Sequence, residues 1–216
     1  MDIRTWAEQL SDRRSKKVVF LSHCLLNENT RYPGGACRPG PIQEIFQECY
    51  VRGLGIVQMP CPEQLVWGGV LKRRMLVFFG SEGTALFRLK NSLLPIFLWY
   101  SKWRYRRLAR QIAGQVEDYF SSGMTVIAIF GVDGSPSCGV HRTLDLKRSL
   151  DKIARLSNPA SADDMNSIVR ACVVGGRGLF IDLLRKEVER LRLKVPFLAH
   201  DLIAELRQRV TAGDPL

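Results

Sequence analysis

The stretch "GMTVIAIFGVDG" (residues 123–134) decides the fold. Its β-branched and aromatic residues follow one another without polar alternation, which predicts a strand buried on both faces. Three further runs fit strands: "KKVVFLSH" (16–23), "LGIVQMP" (54–60) and "KVPFLAHD" (194–201). Helical patterns lie between them. "PIQEIFQECYVRG" (41–53) spaces Ile42, Ile45, Phe46 and Cys49 along one face, with Pro41 to open it and Gly53 to stop it. Residues 101–122 align Trp103, Leu108, Ile112, Val116 and Phe120, with arginines outside. "LFIDLLRKEVERLRL" (179–193) and "LIAELRQRV" (202–210) are the remaining helices. This alternation predicts one α/β domain over 1–216, a Rossmann-like three-layer sandwich with a mainly parallel sheet. Residues 70–110 mix glycine, basic residues and apolar runs and are expected to form an insertion or lid. Residues 144–166 are polar and predict a loop with a short helix, while "SIVRACVVGGRGLF" (167–180) suits either element.

At 216 residues and 46% hydrophobic, the chain can bury one good core. The opening "MDIRTWAEQLSDRRSKK" lacks an apolar h-region, so it predicts a short amphipathic helix rather than a secretory signal. The longest apolar candidate, "LLPIFLWY" (93–100), is half a membrane span and contains a proline. A cytoplasmic protein with reduced cysteines is the expectation, which favours metal or catalytic roles over disulfides for its six thiols. The net charge of +11 attracts anionic partners, and much of it falls in "LKRR" (71–74) and "SKWRYRRLAR" (101–110). The second of these, with Trp103 and Tyr105, suits phosphate contacts and base stacking, a membrane surface, or simply a solvated helix face.

Ligands of parallel α/β sheets bind beyond the carboxyl ends of the strands. Cys24, Cys61 and Cys138 each follow a predicted strand at that edge, so the topology can gather three thiols into one pocket. No C-x-x-C pair occurs, although such pairs usually build structural zinc sites. His23 or His141 could complete a Cys₃His zinc site, and Cys37 is a spare thiol that could be a ligand or redox partner. Soft thiolates suit zinc or an iron–sulfur cluster. A cubane cluster held by three cysteines leaves one iron open as a Lewis acid. Cys49 and Cys172 fall within apolar patterns and read as core.

"SHCLLNENTRYPGG" (22–35), "MPCPE" (59–63) and "GSPSCG" (134–139) resemble, in this order, the signatures of the DUF523 family, which includes the 2-thiouracil desulfidases. The resemblance implies a [4Fe-4S] cluster on Cys24, Cys61 and Cys138, whose open iron takes the sulfur of a thiolated heterocycle. It also implies that Glu63 and Ser135 are needed for catalysis. His23, Asn27 and Pro33 depart from the alanine, glycine and aspartate usual in the family, which leaves the substrate pocket less defined than the chemistry. Replacing C=S by C=O needs polarised sulfur, an activated water and a proton for leaving sulfide, so Glu63 suits the base and Ser135 the orienting hydroxyl.

Around this set, Arg31 would hold an anionic substrate group or pair with a carboxylate. Ser137 and His141 are candidate substrate contacts, with an ordinary turn serine and a solvated histidine as the plain alternatives. "GGRG" (175–178) lacks the lysine and serine of a phosphate loop and reads as a turn. Two other functions remain open on the same residues. One is the same cluster acting on thiolated RNA or nucleotides. The other is a non-catalytic zinc-stabilised module that binds a nucleic acid or another partner.

Overall fold

The computed structural model describes residue 3 and residues 12–81, 85–156 and 161–212. The amphipathic helix expected for the opening segment lies outside them. Four strands, β1 (Lys17–Ser22), β2 (Gly55–Met59), β3 (Thr125–Asp133) and β6 (Phe197–Asp201), form one sheet in the order β2-β1-β3-β6. Every pairing is parallel. The four predicted strands are thus the four of the parallel sheet, and the α/β three-layer architecture holds.

Side chains of β1 alternate between two cores. Val18 and Phe20 enter one apolar cluster, Val19 and Leu21 the other. That two-sided burial is why the strand carries no polar alternation. β3 does the same with one interruption. Its register against β1 shifts between Val18 and Val19, which pair with Val126 and Ala128. The extra residue, Ile127, returns Ile129 to the face of Val126.

On the first face lie α3 (Pro62–Val66), α4 (Arg73–Phe79), the 32-residue α6 (Lys90–Ser121), α7 (Leu146–Ile153) and α9 (Leu179–Arg190). The second face is covered by α1 (His23–Leu26), α2 (Gln43–Val51), α8 (Ala162–Cys172) and α10 (Leu202–Ala212). A short α5 (Ala85–Arg88) precedes α6, and β4 (Arg142–Leu144) pairs antiparallel with β5 (Val173–Gly175).

Three expectations change. Trp103, expected on the buried line of the helix over 101–122, is 56% exposed, because it lies opposite Leu108 and Ile112 on the helix. The helix predicted over 101–122 begins at Lys90, so "LLPIFLWY" is its first half, with Pro95 inside it. Leu94, Tyr105, Leu108 and Ile112 join the first-face core, so residues from 90 onward are a layer of the sandwich. Residues 144–166 hold two helix starts, at Asp145 and at Ser161. Each side chain accepts a backbone N–H of the first turn, and Ser161 with Asp164 forms a full capping box. The short helix expected here is Leu146–Ile153, and the polar Asp145, Ser161 and Asp164 act as caps.

The end of β3 sets the geometry of the loop beyond it. A Cβ on Gly131 would fall 2.3 Å from the Cys138 carbonyl oxygen, which accepts the Val132 N–H at 2.8 Å. Gly131→Ala is therefore expected to destabilise the fold by about 1–3 kcal/mol through overpacking. A urea titration would show it, and a wild-type midpoint would mean that the loop yields freely.

Candidate functional site

The loop after β3, "GSPSCG", is held from three sides. Asp133 Oδ1 accepts the backbone N–H groups of Val140, His141 and Arg142 at 2.9, 2.9 and 3.2 Å. Ser135 Oγ accepts the N–H groups of Cys138 and Ser137 at 3.0 and 3.3 Å. The first turn of α9 supplies the rest: Leu179 N–H donates to Pro136 O, and Phe180 and Ile181 N–H donate to Ser137 O. Those are groups that a helix N-terminus leaves without intrahelical partners. The expected turn "GGRG" leads into that helix, and Gly178 lies so close to Ser137 that a Cβ would meet its carbonyl carbon at 2.4 Å.

Glu63 reaches this loop from α3, whose N-cap is Cys61. Its Oε1 accepts Ser137 Oγ at 2.6 Å and Ser135 Oγ at 3.2 Å. The carboxylate is buried, and Lys72 Nζ stands 3.7 Å from Oε2. Ser135 thus accepts two N–H groups while its single proton points toward Glu63 or Ser137. Ser137 is also buried, and its hydroxyl proton goes to Glu63. In this structure Ser137 holds the carboxylate.

Cys24, Cys61 and Cys138 come within electrostatic reach of one another. Burial pushes the Cys138 thiol well above its usual range, and the neighbouring Cys24 and Cys61 push it further. Burial raises Cys24 to about 12, with Arg31 and Lys72 opposing and Cys61 and Glu63 adding. Cys61 rises to about 11 through burial and Glu63, offset in part by the Gln64 N–H, 3.4 Å from its sulfur. As free thiols all three are therefore neutral near pH 7.

The ligand atoms of the three cysteines are too spread for a single tetrahedral ion. Tetrahedral zinc at 2.3 Å from each sulfur needs S···S separations of about 3.8 Å. Among the described residues, no three of these thiols, His23, His141 and Glu63 bring their ligand atoms within 4.8 Å of one another. A Cys₃His zinc site is not preformed.

Sequence reasoning missed one residue here, Lys72, and misplaced another, Tyr105, which was expected as an exposed stacking ring. Lys72 is a buried lysine in left-handed backbone (φ 52°), with Nζ donating to the carbonyls of Thr30 and Val70. Only its place in the basic run "LKRR" marked it, and that suggested a surface. Tyr105 sits on the inner line of α6, fully buried, and its hydroxyl has no hydrogen-bond partner among the described residues. Burial and the nearby Glu63, Cys138 and Cys61 raise its pKa well above the ordinary value.

Other expected site residues take different partners. Arg31 is buried between Glu28 (3.1 Å) and Glu205 (2.8 Å), and its NH1 also donates to Gly35 O. The carboxylate-pairing alternative is the one found. Cys37 stands with Glu28 and Glu205, ligand atoms within 4.8 Å of one another, rather than with the three strand-end thiols. Arg31 and Arg38 already neutralise those two carboxylates, so a cation there would have to displace them. His200 completes the group, 3.2 Å from Glu205. Its pKa is lowered by burial and then by both arginines. His141 is exposed and lines a recess of about 540 Å³ with Lys102, Arg177 and Asp182. No hydrogen bond joins its side chain to Glu63, Ser135 or Ser137 among the described residues. Cys49 and Cys172 are buried, as their patterns predicted.

No family model, curated protein or solved structure matches the chain, so the desulfidase resemblance rests on its three motif blocks. No helix among the described residues is long and apolar enough to cross a membrane.

Two measurements probe the site without any ligand. A buried hydroxyl without a partner costs about 1–3 kcal/mol. Tyr105→Phe is therefore expected to raise the melting temperature by about 2–4 °C for each kcal/mol recovered. The raised thiol pKa values work through linkage. Folding prefers neutral Cys24 and Cys61, so their contribution is complete below the usual 9.0 and is lost as pH climbs toward 11 and 12. The urea midpoint of metal-free protein should fall above pH 9, and less steeply in a Cys24→Ala/Cys61→Ala variant.

Proposed function

We propose that the protein is a hydrolytic desulfidase that removes sulfur from a thiocarbonyl compound of the thiouracil type. The observation that carries this reading is the gathering of Cys24, Cys61 and Cys138 from three separate strand ends, beside a buried Glu63 bound by Ser135 and Ser137.

Cys24, Cys61 and Cys138 would hold a [4Fe-4S] cluster. Three neutral, buried thiols lose their protons when a cationic centre supplies the missing positive charge. Bound there, the cluster supplies an open iron with affinity for sulfur, which polarises a C=S bond. The remaining chemistry belongs to the chain. Glu63 takes a proton from water, and that water adds to the thiocarbonyl carbon. Ser135 and Ser137 fix the carboxylate through one oxygen, and its second oxygen faces Lys72. The C–S bond then breaks, sulfide leaves with a proton, and the carbonyl remains. Water and thiocarbonyl give carbonyl and hydrogen sulfide, with no change of oxidation state.

The zinc-module reading is weakened by the spread of the thiols. The thiolated-RNA reading keeps the same site and adds the exposed cationic face of α6. Turnover of free thiouracil that does not change with salt favours the small-molecule substrate, because phosphate contacts weaken steeply with salt.

Protein purified without oxygen is expected to be brown, with about four irons and four acid-labile sulfides per chain. Cys138→Ala should lose cluster and sulfide release together. Glu63→Gln should keep the cluster spectrum and lose about a hundredfold or more in turnover. A colourless protein with one zinc, or full activity in Glu63→Gln, would overturn the reading.

A further inference from the structure

We propose that the outer face of α6 seats the protein on an anionic lipid surface. The inference is independent of the chemistry at the thiols. Helix α6 buries one line, through Leu94, Ser101, Tyr105, Leu108 and Ile112. Directly opposite lie Ile96, Trp99 and Trp103, spaced i, i+3 and i+7 and therefore on one face. They are 61, 70 and 56% exposed. The Tyr100 ring packs 6.2 Å from that of Trp103 and widens the stripe. Single apolar residues on a surface are ordinary, but two neighbouring exposed indoles beside an isoleucine form a contiguous patch.

Charge complementarity selects the occupant. From Arg88 to Val116 the chain has no aspartate or glutamate. Residues 91–101 carry no charge at all, and the cations begin one residue later. Lys102, Arg106 and Arg107 are exposed and make no ion pair among the described residues. Arg107 follows Trp103 by one turn on the same face. An uncharged aromatic stretch followed by unpaired cations matches the boundary between acyl chains and anionic headgroups. Indoles favour that depth, while arginine stems lie along apolar surface and deliver their charge to phosphate. A helix lying flat in this boundary uses such a face.

Other occupants fit less well. A single-stranded RNA platform interleaves stacking rings with cations. Here Ile96 offers no ring, and Trp99 and Tyr100 lie in the uncharged stretch, so only Trp103 stands among the cations. A second copy would bring together two chains of net charge +11, and α6 contributes no carboxylate between Arg88 and Val116 to offset them.

Co-sedimentation of the full chain with phosphatidylcholine vesicles, with and without phosphatidylglycerol, tests the proposal. Binding is expected only when phosphatidylglycerol is present, and added salt should weaken it. Arg106→Gln/Arg107→Gln should bind roughly 30-fold more weakly. Trp99→Ser/Trp103→Ser should lose about tenfold or more. Both pairs are exposed, so each variant should keep the wild-type melting temperature. No binding to either vesicle would overturn the proposal, as would equal binding to both or unchanged binding by both variants. RNA binding without vesicle binding would assign the face to nucleic acid. A concentration-dependent dimer that both variants disrupt, without vesicle binding, would assign it to a second copy.

Discussion

The carboxylate of Asp133 holds the loop on which the rest of the site depends. Three successive backbone N–H groups, of Val140, His141 and Arg142, converge on one of its oxygens. That fixes where the "GSPSCG" loop returns to the sheet. The Cys138 carbonyl then closes on Val132, and the carbonyls of Pro136 and Ser137 turn to the first N–H groups of α9. Backbone polar groups left over by a strand end and a helix start thus satisfy one another. Ser135 and Ser137 are presented to Glu63 as a consequence.

The thiols sit in an environment that does not want them ionised. Burial and mutual repulsion keep them neutral, and the one nearby ammonium, Lys72, is shared with Glu63 and two backbone carbonyls. Tyr105 adds a polar group with no partner among the described residues to the same region. Such uncompensated groups reduce stability, and they collect where the proposed chemistry requires them. The Arg31, Arg38, Glu28 and Glu205 group nearby offsets charge with charge. Its two guanidinium groups and two carboxylates close on one another.

Much of this was legible in the residues. The unbroken apolar runs of β1 and β3 identified a doubly covered parallel sheet, because only burial on both faces removes polar alternation. The cysteines after β1, β2 and β3 followed from that topology, since parallel strands place all their carboxyl ends on one edge. Less was legible where a residue's partner is distant in sequence. Arg31 meets Glu205 174 residues away. Glu63 and Ser137 are separated by 74. Lys72 sat in a basic run that looked like surface, and only folding turned it inward. The first half of α6 was obscured by Pro95, a residue that normally argues against a helix interior.

The sequence by itself determined the layer architecture, the four parallel strands and the edge to which three thiols would come. Periodicity and strand direction are local properties, and they suffice for that. Tertiary structure decided which charged groups are spent on one another and which remain exposed. It turned Arg31 and Cys37 to the carboxylate group, gave Ser137 to Glu63, and left Trp99 and Trp103 facing outward. Those outcomes depend on distances between residues far apart in the chain, and no local pattern encodes them.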